Sequence, residues 1–323
     1  MAKISNIKYS IIIPVYNAEL SLSELYQGLI KALMPLNMPF EIILVDDGSQ
    51  DRSWDMMIKL AEKDQRVTAM QLLKNAGQGS ATIAGMDIAC GEFIVTMDDD
   101  LQHPPEELPK LIKSLELDER IDVVMGVAEE YQQPFFRRLA SRLINRLNNL
   151  FLKKDPKIKL SSFRVMRSQV AKALVSMNVY YPSLGPMIVS ISSRIKNVKT
   201  HHQARSHGKT GYTTRALIKQ SLGNIIGYSV LPLHLLALLG MVGVFGCAAL
   251  TMYFLYCYFF IGISVPGWMT LLMVTMMFSS FNFLAFSLIG EYVLRINLST
   301  TRPKQWVVRS IKKNSEIHTS IHP

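Results

Sequence analysis

Apolar positions follow three different rhythms along this chain, and each predicts a different kind of element. In residues 1–130, short apolar runs at Tyr9–Pro14, Glu41–Val45, Val67–Leu73, Glu92–Met97 and Ile121–Val127 read as strands. Between them, Glu19–Leu36, Asp51–Lys63 and Gln78–Ala89 place apolar residues at helical spacing. Strands alternating with helices predict a parallel sheet covered on both faces, with ligands at the carboxyl ends of its strands. The second rhythm is in Phe135–Leu152, where Phe135, Phe136, Leu139, Leu143, Leu147, Leu150 and Phe151 recur at helical spacing. Arg137, Arg138, Arg142 and Arg146 lie between them. That pattern predicts an interfacial helix, with its apolar side in the acyl boundary and its arginines at the headgroups. Tyr212–Tyr228 reads as a second such helix. The third rhythm is unbroken: from Gln220 to Gly290 there is no Asp, Glu, Lys or Arg. Two membrane helices of about 20 residues each fit that run, near Leu231–Phe254 and Trp268–Gly290. The uncharged link Ile261–Gly267 holds the breakers, and Arg215, Lys219, Arg295, Arg302, Lys304 and Arg309 flank the pair. The positive-inside rule then predicts a hairpin with both termini cytoplasmic.

Composition changes this picture through the distribution of charge. The 323 residues are 49% hydrophobic and 19% charged, which excludes a disordered chain. The net charge of +10 is unevenly spread. Residues 1–130 hold 11 Lys/Arg and 22 Asp/Glu, residues 131–219 hold 18 and 1, and residues 220–323 hold 6 and 2. A uniform nucleic-acid binder would not show an acidic third before a basic one. The pattern suits a metal-bearing site beside a surface for phosphates or anionic lipid. Three cysteines (Cys90, Cys247, Cys257) form no CxxC pair and no disulfide framework.

Candidate chemistry sits where strands are expected to end. The first strand runs into Pro14-Val15-Tyr16-Asn17, the second into Asp46-Asp47-Gly48-Ser49-Gln50-Asp51, and the fourth into Asp98-Asp99-Asp100-Leu101-Gln102-His103-Pro104-Pro105-Glu106. Acidic clusters so close together repel one another unless cations or donors face them. Asp98 and Asp100, two apart on an extended segment, point the same way, and Gln102 continues that side. Hard oxygen ligands at that spacing suit Mg²⁺ or Mn²⁺ completed by a substrate diphosphate. Asp46 is a candidate acceptor for a base N–H, Asp51 is expected to cap a helix, and His103 to shape its loop.

The motifs PVYN, VDDGSxD, NxGQ (Asn75–Gln78) and DxDLQHPPE, in this order, resemble the inverting GT-A glycosyltransferases of family two. With the basic middle and the apolar end, the chain is similar to polyprenyl-phosphate glycosyltransferases, over about Tyr9 to Arg302. Asn75-x-Gly-Gln78 and the Phe136-Arg137-Arg138 segment lean toward the formamido-arabinosyl type. The resemblance implies an α/β fold: a Rossmann-like, mostly parallel GT-A core with interfacial helices and a two-helix membrane hairpin. It implies a nucleotide-sugar-binding core over 1–130, an acceptor-binding part over 131–229, membrane helices over 230–292 and a cytoplasmic basic tail over 293–323; the chain beyond Lys313 is itself read as disordered. Pro14, Tyr16, Asn17, Asp46, Asp47, Gly77, Asp98 and Arg205 would bind the nucleotide sugar. Asp98, Asp100 and Gln102 would hold Mg²⁺ or Mn²⁺. Arg137, Arg138, Arg164 and Lys209 would meet the acceptor phosphate, and Asp98, Asp100 and Arg137 would carry catalysis.

The implied reaction moves one sugar, with inversion, from a nucleotide-sugar donor (a UDP-sugar) to undecaprenyl or another polyprenyl phosphate. It would take place at the cytoplasmic face of a bacterial inner membrane and serve lipopolysaccharide, O-antigen or lipid A modification. Gly240, Gly243 and Gly246 leave room for helix packing and a homo-oligomer. Three departures stand out: Ala18 displaces the family's glutamate to Glu19, Gly211 occupies its lysine position in Gly208-Lys209-Thr210-Gly211, and Lys159-Leu160-Ser161-Ser162 stands where relatives often carry an acidic or glycine-rich stretch before Phe-Arg. A processive polysaccharide synthase is the rival enzyme, but its Gln-x-x-Arg-Trp signature is missing. A non-catalytic lipid-binding protein on the same fold is the rival from another class.

Overall fold

The computed structural model describes residues 7–128, 157–203 apart from 178, 180 and 181, 267–301, 306–313 and 316–318, with isolated positions between 236 and 260. The expected interfacial helices Phe135–Leu152 and Tyr212–Tyr228 lie outside the described residues, as does most of the first expected membrane helix.

The five strands and three helices read from the first 130 residues are all present, and a fourth helix, α4, which the sequence reading did not name, joins them. They are β1 (Tyr9–Val15), α1 (Leu22–Leu33), β2 (Phe40–Asp46), α2 (Ser53–Lys63), β3 (Val67–Leu72), α3 (Gln78–Ile88), β4 (Phe93–Thr96), α4 (Leu108–Glu116) and β5 (Val123–Ala128). Every residue of β1 and β2 is buried. The reason is two-sided cover: Ile11, Ile13 and Val15 pack with α1, α2 and α4, while Ile12 packs on the other face with α3. A strand covered on both faces is apolar along most of its length, so it shows as a run and not as an alternation, and the buried Ser10 and Glu41 satisfy one another at 2.6 Å.

The second half adds β6 (Arg164–Arg167), α5 (Ser168–Ser176), α6 (Leu184–Ile191), β7 (Ile195–Thr200), α7 (Trp268–Thr301), β8 (Val308–Lys313) and β9 (Glu316–His318). One nine-stranded sheet results, in the order β7-β5-β6-β4-β1-β2-β3-β8-β9. Its centre, β4-β1-β2-β3, is parallel. Strand β6 is antiparallel to both β4 and β5, and β8 is antiparallel to β3. The expectation of a mostly parallel sheet is therefore corrected to a mixed one, because residues 164–167 return between β4 and β5 against the direction of both. The chain builds β2 and β3 on one side of β1 and then crosses to β4 on the other. This switch point is where α/β sheets leave a crevice.

Strand β8 falls in the segment read as a basic tail. It pairs with β3 from Leu72↔Val308 to Thr68↔Lys313, and Lys312 forms an ion pair with Glu62. Trp306, Val308 and Ile311 pack on the core beside α3. The strand follows α7, whose 34 residues span about 51 Å at 1.5 Å per residue. Within α7, Val274–Leu294 has a mean hydropathy of 1.3 and none of it is buried. Leu271, Met276, Phe283, Phe286 and Val293 are all exposed. Among the described residues one helix is thus long and apolar enough to cross a membrane, where the sequence predicted two. The hairpin is not shown, since the first helix falls largely outside what is described.

Candidate active site

The ends of β1 and β2 are tied by short polar bonds before any ligand is considered. Asn17, at φ 52°, takes a left-handed turn that asparagine tolerates better than most residues. Its backbone N–H donates to Ser49 Oγ at 3.0 Å, and its side-chain oxygen accepts from the Gln50 N–H at 2.8 Å. Asp51 accepts from the Ser53 and Glu19 N–H groups, but the N-cap of α2 is Arg52, so the expected cap is corrected to a residue one position earlier that ties the first turn to Glu19. Glu19, displaced by one position, accepts from the Arg52 N–H.

Of the paired carboxylates after β2, Asp46 is fully enclosed. It accepts from the Ser49 N–H at 3.0 Å and the Gln71 side chain at 3.1 Å, and it lines neither cavity described below. Asp47 reaches across to the start of α3, accepting from the Ala76 N–H at 2.7 Å and the Gly77 N–H at 2.9 Å. Burial pushes its carboxyl above the usual range, although the two N–H bonds oppose that shift. Gly48 makes the crossing possible: its φ is +76°, and an added Cβ would sit 3.0 Å from the Asn75 nitrogen. Gly48→Ala is expected to cost about 1–2 kcal/mol from the left-handed backbone alone. Thermal unfolding should register this as a drop of a few degrees; an unchanged midpoint would mean that the turn relaxes freely.

The acidic loop after β4 holds three carboxylates in different surroundings. Asp98 accepts from Ser162 Oγ at 2.6 Å and from the side-chain amide of Gln78, and burial raises its pKa. Asp99 accepts the Tyr16 N–H at 3.1 Å, and burial, joined by the charges of Asp98 and Asp100, pushes it up to about 6. Asp100 accepts from the Gln102 N–H at 3.1 Å. Leu101, a buried leucine at φ 59°, turns the chain between them, a strained conformation of the kind concentrated at functional sites.

The loop is backed by aromatic packing. His103 stacks on Phe163 at 5.0 Å and meets the edge of His202 at 4.8 Å. Burial holds the imidazole down at about 4, consistent with a loop-shaping role. The Gln203 N–H donates to the Gln102 carbonyl at 2.9 Å, which brings the 201–203 segment onto the acidic loop.

Two cavities open here. The first, about 350 Å³, is lined by Pro14, Val15, Tyr16, Asp47, Asn75, Gly77, Gln78 and the three carboxylates Asp98–Asp100. The second, about 320 Å³, shares Pro14, Gly77, Gln78 and Asp98 with it and runs on past Thr82, Ser162, Arg164 and Ser183. Arg164 is wholly buried, and desolvation lowers its pKa to about 10 despite the nearby Asp98.

The donor set of the acidic loop fits a hard divalent cation: carboxylate oxygens on one short segment, with Asp99 raised partly by the charge of its neighbours. Among the described residues no three His, Cys, Asp or Glu side chains form a ready-made metal cage. A site completed by substrate phosphates needs only one or two protein carboxylates.

Pro14, Tyr16, Asp47, Gly77, Asp98 and Asp100 thus converge on one cavity, Gln102 adjoins it, Asn17 braces it and Asp46 stands behind it. Arg164 faces the second cavity. Arg137, Arg138, Arg205 and Lys209 lie outside the described residues. Gln71, Ser162 and the side chain of Gln78 were not singled out as site residues in the sequence. Ser162 stands beside Arg164 and Gln78 within NxGQ, but nothing local says that both point at Asp98.

Residues 10–175 match the family described as glycosyl transferase family 2. The chain is 33% identical over 312 residues to an undecaprenyl-phosphate 4-deoxy-4-formamido-L-arabinose transferase of Edwardsiella ictaluri, covering 94% of each chain. It is 32% identical over 319 residues to the protein of the same name from Serratia proteamaculans, covering 97% of this chain and 96% of that one. Among solved structures, glucosyl-3-phosphoglycerate synthase from Mycobacterium tuberculosis shares the fold. Its TM-score is 0.53 at 18% identity, over 69% of this chain and 80% of that one.

Proposed function

The chain belongs to glycosyl transferase family 2, and from that membership we propose that it moves one sugar from a UDP-sugar to undecaprenyl or another polyprenyl phosphate. The observation that carries this reading is the 350 Å³ cavity at the switch point of the sheet. There Pro14, Tyr16 and Asp47 line the same space as three carboxylates, a lining suited to a nucleoside and to a diphosphate with its cation. The names of relatives matching nearly the whole chain supply the acceptor class and point to a formamido-pentose as the sugar.

Asp98 and Asp100, with Gln102, are the residues that would hold Mg²⁺ or Mn²⁺. When bound, such an ion neutralises the charge that builds on the departing diphosphate. Tyr16, through its N–H bond to Asp99, ties the nucleoside wall to the acidic loop, so the two halves of the donor are held in one register. The acceptor is a phosphate monoester whose second pKa is about 6, so it arrives ionised and needs no strong general base. In-line attack on the anomeric carbon inverts it. Arg137, Arg138, Arg205 and Lys209 are assigned to the phosphates on charge and position in the sequence. Helix α7 anchors the enzyme, and with the apolar run before it forms a hairpin at the cytoplasmic face of the inner membrane.

The test is transfer of radiolabel from a panel of UDP- and GDP-sugars into undecaprenyl phosphate, using purified protein in detergent with Mg²⁺ or Mn²⁺. One labelled lipid, formed only with metal, is the expected result. A ladder of longer products would mark a processive synthase. Nucleotide binding without any product would mark a non-catalytic protein on this fold.

A further inference from the structure

One wall of the donor cavity is held from outside residues 1–130. Residues 73–77 lead from β3 to α3, and Asn75 and Gly77 of this turn line the cavity together with Gln78. Leu73, Lys74 and Asn75 are exposed, so hydrogen bonds and not burial must fix their course. On the inner side, the Ala76 and Gly77 N–H groups donate to Asp47. On the outer side the partner is β8. The Leu73 N–H donates to the Val307 carbonyl at 2.7 Å, and Arg309 Nη2 donates to the Leu73 carbonyl at 3.3 Å. The ladder between β3 and β8 is interrupted at this point. Gln71 stands opposite Ser310 but Leu72 opposite Val308, so β8 carries Arg309 as an extra residue. Such a bulge bends its strand, leaves the extra residue out of the ladder and re-aims its side chain. Here the guanidinium is turned back onto the residue that follows β3.

We propose that Arg309 is a positioning residue for the nucleotide-sugar donor: through the Leu73 carbonyl it fixes the turn 73–77, and so sets donor affinity from the strand that follows α7. The inference rests on the UDP-sugar reading above and adds to it a residue far outside the family match over 10–175. Three observations lead to it. The bond is charge-assisted and acts on the exposed end of the turn, where packing contributes least. Second, Arg309 is the bulged residue, and bulges are over-represented beside active sites because they aim a side chain where a regular ladder would not. Third, the same end of β3 holds the back of the pocket, since the Gln71 side chain donates to the enclosed Asp46 at 3.1 Å. A shift of this end therefore reaches Asp46 through Gln71, and Asp47 through Ala76 and Gly77. Restricting the turn before the donor arrives lowers the ordering cost of binding, which shows as affinity. None of these bonds involves the acidic loop after β4 or the arginines assigned to the acceptor, so the effect belongs to the donor alone.

The experiment uses the full-length protein in detergent with Mn²⁺ and compares the wild type with Arg309→Ala, Arg309→Lys and Lys312→Ala. UDP Kd, donor KM, acceptor KM, kcat and the thermal midpoint are measured for each. Arg309→Ala should raise UDP Kd and donor KM roughly 3- to 10-fold, with kcat, acceptor KM and the midpoint unchanged. Arg309→Lys, which keeps a charged donor, should recover most of the loss. Lys312→Ala removes the β8 ion pair with Glu62 and serves as the control, with donor affinity as in the wild type. Deuterium uptake at residues 72–78 without nucleotide should rise in Arg309→Ala and not in the control. An unchanged UDP Kd in Arg309→Ala overturns the proposal. So does a rise matched by Lys312→Ala or accompanied by a lower midpoint, since β8 would then support the fold and not the donor. A change confined to kcat or acceptor KM overturns it as well. Wild-type protein that binds no UDP in the presence of metal would instead remove the donor reading on which the inference rests.

Discussion

Asp100→Asn is expected to lower sugar transfer on the order of 10³-fold, a loss comparable to or larger than that from removing one preorganised electrostatic contact in an active site. The change removes a negative charge but almost no volume. Asp100 is the member of the acidic loop best suited to such a test. It is partly exposed and accepts a main-chain bond from Gln102, which asparagine can also accept. Asp98 would be less clean, since Ser162 and Gln78 both bond to it and its loss disturbs two cavities. Activity should be followed as Mn²⁺ and Mg²⁺ are titrated into metal-stripped enzyme. The wild type should recover with saturable dependence on the ion, and Asp100→Asn should stay low at every concentration while still unfolding near the wild-type temperature. A variant with normal activity and the wild-type metal response would place the cation elsewhere.

Phe163→Ala should produce the largest loss of stability for any single side chain around the site, about 3–5 kcal/mol. Phe163 is fully buried in the core on the α1, α2 and α4 side, and its ring stacks on His103. Strand β5 makes room for it with Gly126, where an added Cβ would come within 2.6 Å of the ring. The neighbours on either side, Ser162 and Arg164, both face the site. The cavity left by truncation therefore opens under the acidic loop and between two functional residues. Thermal unfolding in detergent should fall by roughly 10 °C, and donor KM should rise in the fraction still folded. If the midpoint does not move, the ring is not packed as described, and the support it lends to His103 falls with it.

The central strands were legible because each is buried on both faces and so advertises itself as a continuous apolar run. Helices α1 and α2 were legible because each has one face to bury, which repeats at helical spacing, whereas α3 is buried all round from Ser80 to Met86. The strand-end motifs were legible for a related reason: Asp47, Asp98 and Asp100 are acidic residues that interrupt apolar runs, and in a parallel sheet such interruptions collect at one edge. Strand β6 was not legible. Its four residues, Arg164 to Arg167, begin and end with arginine, and nothing in them predicts burial between β4 and β5. Strand β8 reads as a basic tail for the same reason, since Arg309, Lys312 and Lys313 mask the two apolar positions that dock on the core.

The residues alone therefore determined the alternating α/β core, the acidic strand ends with their chemistry, and an uncharged run long enough for a membrane. These are properties of local periodicity and residue type. Only the tertiary structure decided that the sheet is mixed, that Ser162 and Gln78 bond to Asp98, and that Arg164 is an interior donor, although residue type alone suggests a surface cation. Strand pairing and burial depend on partners far away in the chain, as Asp98 and Ser162 are 64 positions apart. No window of sequence contains that information, because the free energy of burying an arginine depends on which charge and which hydrogen-bond acceptors the rest of the fold brings to it.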